Sequence, residues 1–153
     1  MRAAGIPLAL VLLLTACGGD GGGGEQGLPA EPFSLSLDVG ECFDRVESPD
    51  VTEVPAVPCD EPHDLEVLAR VDLPEGDFPG DDEVVTTATE VCQEEFASYV
   101  GQPQDDSGLL VVPLPPTRPQ WDGGERTVVC AAGLVEGELE ESVRGSEAPP
   151  TTG

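Results

Sequence analysis

Five cysteines, and the position of the first, constrain this chain more than any other feature. Cys17 closes the stretch Leu14-Thr15-Ala16-Cys17, directly after the apolar run from Ala3 to Leu14, and Arg2 supplies a positive charge ahead of it. The run is about a dozen residues, short of the roughly 20 a membrane-spanning helix needs, so it reads as an export signal. A small residue before a cysteine at that place is the pattern processed in bacterial lipoproteins. The Cys17 thiol takes a diacylglycerol and the chain is cut before it. The competing readings are a secretory signal cut elsewhere and an uncleaved anchor. With residues 1–16 removed, two or three acyl chains on one cysteine hold a protein on a membrane far more firmly than a single chain does. The expected location is the extracytoplasmic face of the cell membrane, with the lipid on Cys17 as the anchor.

That address decides how the other cysteines are read. Cys42, Cys59, Cys92 and Cys130 are an even number in an oxidising compartment, which implies two disulfides. A zinc site is disfavoured, because no C-x-x-C pair exists and His63 is the only histidine. Four cysteines allow three connectivities, and spacing alone does not choose among them. The expected pairing is Cys42 with Cys59, closing a short N-terminal loop, and Cys92 with Cys130, tying a helix to a late strand.

Residues 17–32 are glycine-rich and nearly free of apolar side chains, so they read as a tether that cannot bury enough surface to fold. Residues 146–153 are polar and proline-containing and read as a disordered tail. What remains, 33–145, is the length of one domain. Within it, Phe33 to Val39 alternates apolar and polar, the period of a half-buried strand. Val51 to Val57, interrupted by Pro55, is a weaker edge strand. Leu65 to Leu73 is apolar at every odd position and gives the clearest strand signal. Asp81 or Asp82 caps a helix running to about Tyr99, with Val84, Ala88, Cys92 and Phe96 on its inner stripe and Val85, Val91 and Tyr99 widening it. Leu109 to Leu114 and Arg126 to Leu134 read as further strands, and Leu139 to Val143 as a short last strand or turn. One helix among runs of strands predicts an α+β fold: an antiparallel sheet of four or five strands, a helix on one face, and two disulfides.

Acidic residues number 31 against six basic ones, all arginine, which excludes nucleic acid as a partner. No D-x-[DN]-x-[DN]-G calcium loop occurs, and the acids from Asp77 to Glu83 read as solvated surface. Neither a metal nor a cofactor is expected.

The series Val39-Gly40-Glu41-Cys42-Phe43, Val57-Pro58-Cys59-Asp60-Glu61-Pro62-His63-Asp64-Leu65-Glu66-Val67, Phe78-Pro79-Gly80, Cys92, Pro116-Thr117, Trp121, Gly124, Arg126 and Cys130 resembles the septum formation family of actinobacterial envelope proteins. The resemblance covers nearly all of the folded portion. It implies an envelope setting near cell division and supplies no catalytic residues. Members often carry a transmembrane anchor, and here a lipidation signal stands in its place.

For chemistry, His63 lies among Asp60, Glu61, Asp64 and Glu66. Clustered carboxylates favour a charged imidazole, so a base or a metal ligand is conceivable there. The plainer reading is that His63 completes a turn, bonding to backbone near the Cys42–Cys59 bridge. There is no G-x-S-x-G elbow and no H-E-x-x-H motif. Trp121, stiffened by nearby prolines, is either a partner or sugar contact or a lid folded over the core. Arg126 is expected to pair with Glu66 or another strand acid. The function expected is therefore a non-catalytic interaction module for an envelope or division protein, or a wall component. The alternative is a hydrolase or metal-dependent enzyme using His63 with Glu66 or Asp64.

Overall fold

The computed structural model describes residues 36–46 and 53–146. The signal, Cys17, the tether, the start of the first expected strand and residues 147–153 of the expected tail lie outside the described residues. Four strands form one antiparallel sheet: β1 (Cys42–Phe43), β2 (Leu65–Asp72), β3 (Leu110–Leu114) and β4 (Thr127–Gly133), in the order β1-β2-β4-β3. The 20-residue helix α1 (Asp81–Val100) packs on one face against β2, β4 and β3. Two short helices, α2 (Gln104–Ser107) and α3 (Arg118–Asp122), flank β3. The α+β expectation holds.

The helix forms where its stripe demands it. Val84, Ala88, Cys92, Phe96 and Val100 are all buried at a spacing of four, as one face of a helix requires. Val91 and Tyr99 widen the stripe as expected, whereas Val85 is 49 % exposed. The cap differs from expectation: the N-cap is Gly80, at φ 109°, and no side chain caps the helix. Asp81, Asp82 and Glu83 instead occupy the first turn, where their charge suits the helix dipole. Gly101, at φ 91°, ends the helix in the left-handed conformation that glycine adopts without strain.

The clearest strand hides a break in its own period. Val67 of β2 pairs with Ala131 and Ala69 pairs with Cys130, so Leu68 is an extra residue, a β-bulge. Before it, Leu65 and Val67 point away from α1, into a cluster with Leu37, Phe43, Val54, Val129 and Ala131. After it, Ala69 and Leu73 point toward α1, into the main core with Phe96, Trp121 and Cys130. The odd-position alternation therefore feeds two cores, one on each face. The same shift turns Glu66, an even position that the period assigns to solvent, to the helix side, where it is fully buried.

Three sequence expectations fail locally. Residues 36–38 are irregular and Val39-Gly40 is a turn, so the described end of the first expected strand is not a strand. Leu37 nevertheless buries, and Gly40, at φ 94°, donates its N–H to the Val67 carbonyl. Of the second expected strand, Val51 and Thr52 lie outside the described residues and Val57 makes a single antiparallel bridge to Cys42. Of the strand or turn expected over Leu139 to Val143, the strand does not form: Leu139 makes one bridge, to His63, and the chain bends at 140–141.

Both disulfides form as paired above. Cys42–Cys59 spans 17 residues and Cys92–Cys130 spans 38, joining α1 to β4 through the main core. In the chain-entropy account such loops stabilise by about 3 and about 4 kcal/mol, a large share of a small domain's stability.

Candidate functional site

Two regions carry the residues singled out by the sequence. The first is a buried polar node on the helix side of the β1–β2 end. Cys42 stands opposite Glu66 in the strand register, which brings the Cys42–Cys59 disulfide beside the Glu66 carboxylate. Glu66 is wholly buried and accepts three hydrogen bonds. Tyr99 Oη donates to Oε1 at 2.6 Å, Ser142 Oγ donates to the same oxygen at 2.8 Å, and the Val143 amide donates to Oε2 at 2.6 Å. A buried carboxylate needs such donors, because stranded charge costs several kcal/mol. Here it uses them to tie two distant chain segments, the end of α1 and residues 142–143, to β2. The Arg144 guanidinium packs over the Tyr99 ring, 4.4 Å from its centre. Burial, reinforced by the neighbouring Glu66 charge and hydrogen bond, pushes the Tyr99 phenol above its ordinary 10.0, against a smaller opposing pull from Arg144.

His63 is also wholly buried. Its backbone N–H donates to the Leu139 carbonyl at 2.9 Å and its carbonyl accepts from the Leu139 amide at 2.7 Å. Its ring Nδ1 lies 2.8 Å from the Glu61 carbonyl, an acceptor only, so the proton is assigned to Nδ1. Nε2 has no partner among the described residues. Neither ring nitrogen bonds Glu66 or Asp64. Asp64 is engaged instead by Arg45, whose amide donates to it at 2.8 Å and whose guanidinium stands 3.4 Å away. The expected turn role for His63 matches this geometry.

Trp121 and Arg126 come together elsewhere. Trp121 is 5 % exposed, its indole N–H donates to the Gly76 carbonyl at 2.9 Å, and Phe78 meets it edge-on at 5.7 Å. Arg126 stacks over the indole at 4.0 Å and donates to the Trp121 carbonyl at 2.7 Å. Its carboxylate neighbour is Glu75, at 3.8 Å, and not Glu66. The expected pairing of Arg126 with Glu66 or another strand acid is corrected accordingly: Glu66 faces α1 at the β1 end of the sheet, while Arg126 leads into β4 beside the 75–78 loop, where Glu75 lies past the end of β2. Trp121 is the core lid, and the group clamps that loop to α3.

The second region is an open cleft of about 510 Å³ on the sheet face away from α1. Val129, Leu114, Pro115 and Pro116 line it with apolar surface, and Thr117, Gln120, Ser36, Asp38, Arg70, Glu125 and Thr127 with polar groups. The volume is within the range of ligand clefts, which combine apolar lining with placed polar groups. Arg70 donates to the Leu37 carbonyl at 2.8 Å, which fixes its guanidinium at the rim. Glu125 accepts from the Thr127 and Arg126 amides at 2.8 and 3.0 Å. The bonds from Thr127, more than the nearby Arg70 charge, hold its carboxyl below the usual 4.5. Sequence reasoning missed this cleft, although Thr117-x-x-Gln120 is a capping box that announces α3 and hence part of the lining.

Among the described residues the group that brings sulfur and carboxylate ligands together is Cys42, Cys59 and Glu66. No helix among the described residues is long and apolar enough to cross a membrane. A family model described as septum formation matches residues 31–146. Comparison with curated proteins and with solved structures finds no match.

Proposed function

The chain belongs to the septum formation family, and on that premise we propose that it is a lipid-anchored, extracytoplasmic binding module that acts without catalysis in the envelope at the division site. The observation that carries the reading is the division of labour between the two regions. His63 and Glu66, the residues on which a hydrolase would depend, are enclosed and engaged by turn and strap contacts. The cleft beside β3, by contrast, is open and lined by apolar and polar side chains together. Lipid on Cys17 would hold the domain against the membrane, with the glycine-rich stretch 17–32 as its tether. The partner is then an envelope or division protein, or a wall component, seated in the cleft.

The test is localisation of a fluorescently tagged protein in its native host. The reading expects enrichment at midcell for the unaltered chain. It expects a folded Asp38→Arg, Pro115→Arg double variant, altered only in the cleft lining, to spread evenly around the envelope. A folded His63→Gln variant keeps its place. Even peripheral signal from the unaltered chain, or midcell signal that survives the cleft substitutions, refutes the reading.

A further inference from the structure

We propose that Cys42, Cys59 and Glu66 become a three-ligand site for a thiophilic divalent cation of the zinc class once the disulfide between the two cysteines is opened. The ligand atoms of all three residues lie within 4.8 Å of one another, and the Cys42–Glu66 strand register fixes two of them. Zinc binds thiolate sulfur at about 2.3 Å and carboxylate oxygen at about 2.0–2.2 Å. Parting the two sulfurs around such an ion takes a side-chain rotation at Cys59, which stands on a turn. The site is independent of the cleft and of the function proposed above.

The two disulfides differ in access. Cys92 and Cys130 are both 0 % exposed in the main core. Cys59 is only partly buried, and with Asp60, Glu140, Glu141 and Ser142 it lines a surface pocket of about 360 Å³. A thiolate of an external dithiol attacks the Cys59 sulfur, the S–S bond breaks, and Cys42 leaves as a thiolate that takes a proton. The second thiolate of the reagent then attacks the mixed disulfide and releases Cys59. The reagent departs as its own disulfide, with two electrons and two protons transferred to the protein. The Gly40 carbonyl, 3.5 Å from the Cys59 sulfur, is placed to accept its S–H. Binding of the cation displaces both thiol protons.

The surroundings suit a cation. Among the described residues, Oε2 of Glu66 accepts the Val143 amide alone, which leaves a lone pair for coordination. The Tyr99 and Ser142 hydroxyls hold Oε1 and so orient the carboxylate, as outer partners do at metal sites. Cys59 borders a surface pocket whose acids, Asp60, Glu140 and Glu141, draw cations toward it.

The test uses the full chain and cobalt(II) as the probe, with zinc(II) as competitor. A dithiol under native conditions should free two thiols, mapped to Cys42 and Cys59, with circular dichroism unchanged. After anaerobic removal of the dithiol, one equivalent of cobalt should produce the near-ultraviolet thiolate charge-transfer band and the visible bands of a tetrahedral site, and zinc should erase both. The oxidised chain should show neither. Glu66→Gln should weaken cobalt binding by at least about tenfold, and Tyr99→Phe, which keeps all three ligands, by about tenfold through the loosened carboxylate. The proposal is overturned by any of four results: no thiolate band, opening at Cys92–Cys130 instead, unfolding of the reduced chain, or unchanged affinity in both variants.

Discussion

Replacement of Tyr99 by phenylalanine is the cleanest probe of the buried node, because it removes one oxygen and leaves the ring under Arg144 in place. The lost bond is the 2.6 Å contact to Glu66 Oε1. Hydrogen bonds to charged groups contribute about 1.5–3 kcal/mol, so Tyr99→Phe should cost about 2 kcal/mol. Ser142 donates to the same oxygen, yet its side chain is exposed, and water replaces it in Ser142→Ala at under about 1 kcal/mol. The two donors share one acceptor, so the double variant should cost more than the sum of the single ones. Denaturant unfolding of the oxidised protein, followed by fluorescence of the single tryptophan and by circular dichroism, gives all three values. A Tyr99→Phe variant as stable as the parent, or a Ser142→Ala cost larger than the Tyr99→Phe cost, would refute the view that Glu66 is a buried strap point.

Three further outcomes follow from the same structure. Tyr99 is the sole tyrosine, so an absorbance titration should show no phenolate near 10.0 while the chain is folded. Above that pH the unfolded state has released a proton that the folded state retains, so stability should fall as pH rises; a normal titration in the folded protein contradicts this. Trp121→Ala should cost about 3–5 kcal/mol in denaturant unfolding, since it empties a core position and frees the 75–78 loop; a cost under about 1 kcal/mol would make the indole a surface residue. Gly133→Ala should destabilise by more than about 1 kcal/mol in a thermal melt, because its new methyl would collide with the Asp64 carbonyl and come within 2.8 Å of Leu65 Cδ2; an unchanged melting temperature contradicts the close β2–β4 approach.

Much of the fold was legible because local period and tertiary demand agree. The stripe Val84, Ala88, Cys92 and Phe96 put Cys92 inward, and the central place of Cys130 in an apolar strand put it inward too, so their bond across the core could be anticipated. Agreement breaks at Leu68. The bulge depends on how β2 registers against β4, a long-range pairing that no window of β2 reveals, and with it went the burial of Glu66. Val39 alternates correctly yet turns outward, because Gly40 reverses the chain there. His63 was readable as a turn residue, since its partners Glu61 and Leu139 complete backbone pairing. Tyr99, Ser142 and Arg144 were not, because they gather around Glu66 only once three separate segments meet.

The proposed envelope role requires export and lipid on Cys17, beside the two disulfides that the fold shows. Mass spectrometry of the native protein, digested without reduction, tests this most directly. It should recover a mature N-terminus at Cys17 carrying the diacylglycerol mass, together with linked peptides joining Cys42 to Cys59 and Cys92 to Cys130. A retained leader, an unmodified Cys17, or free thiols at the other four positions would contradict it.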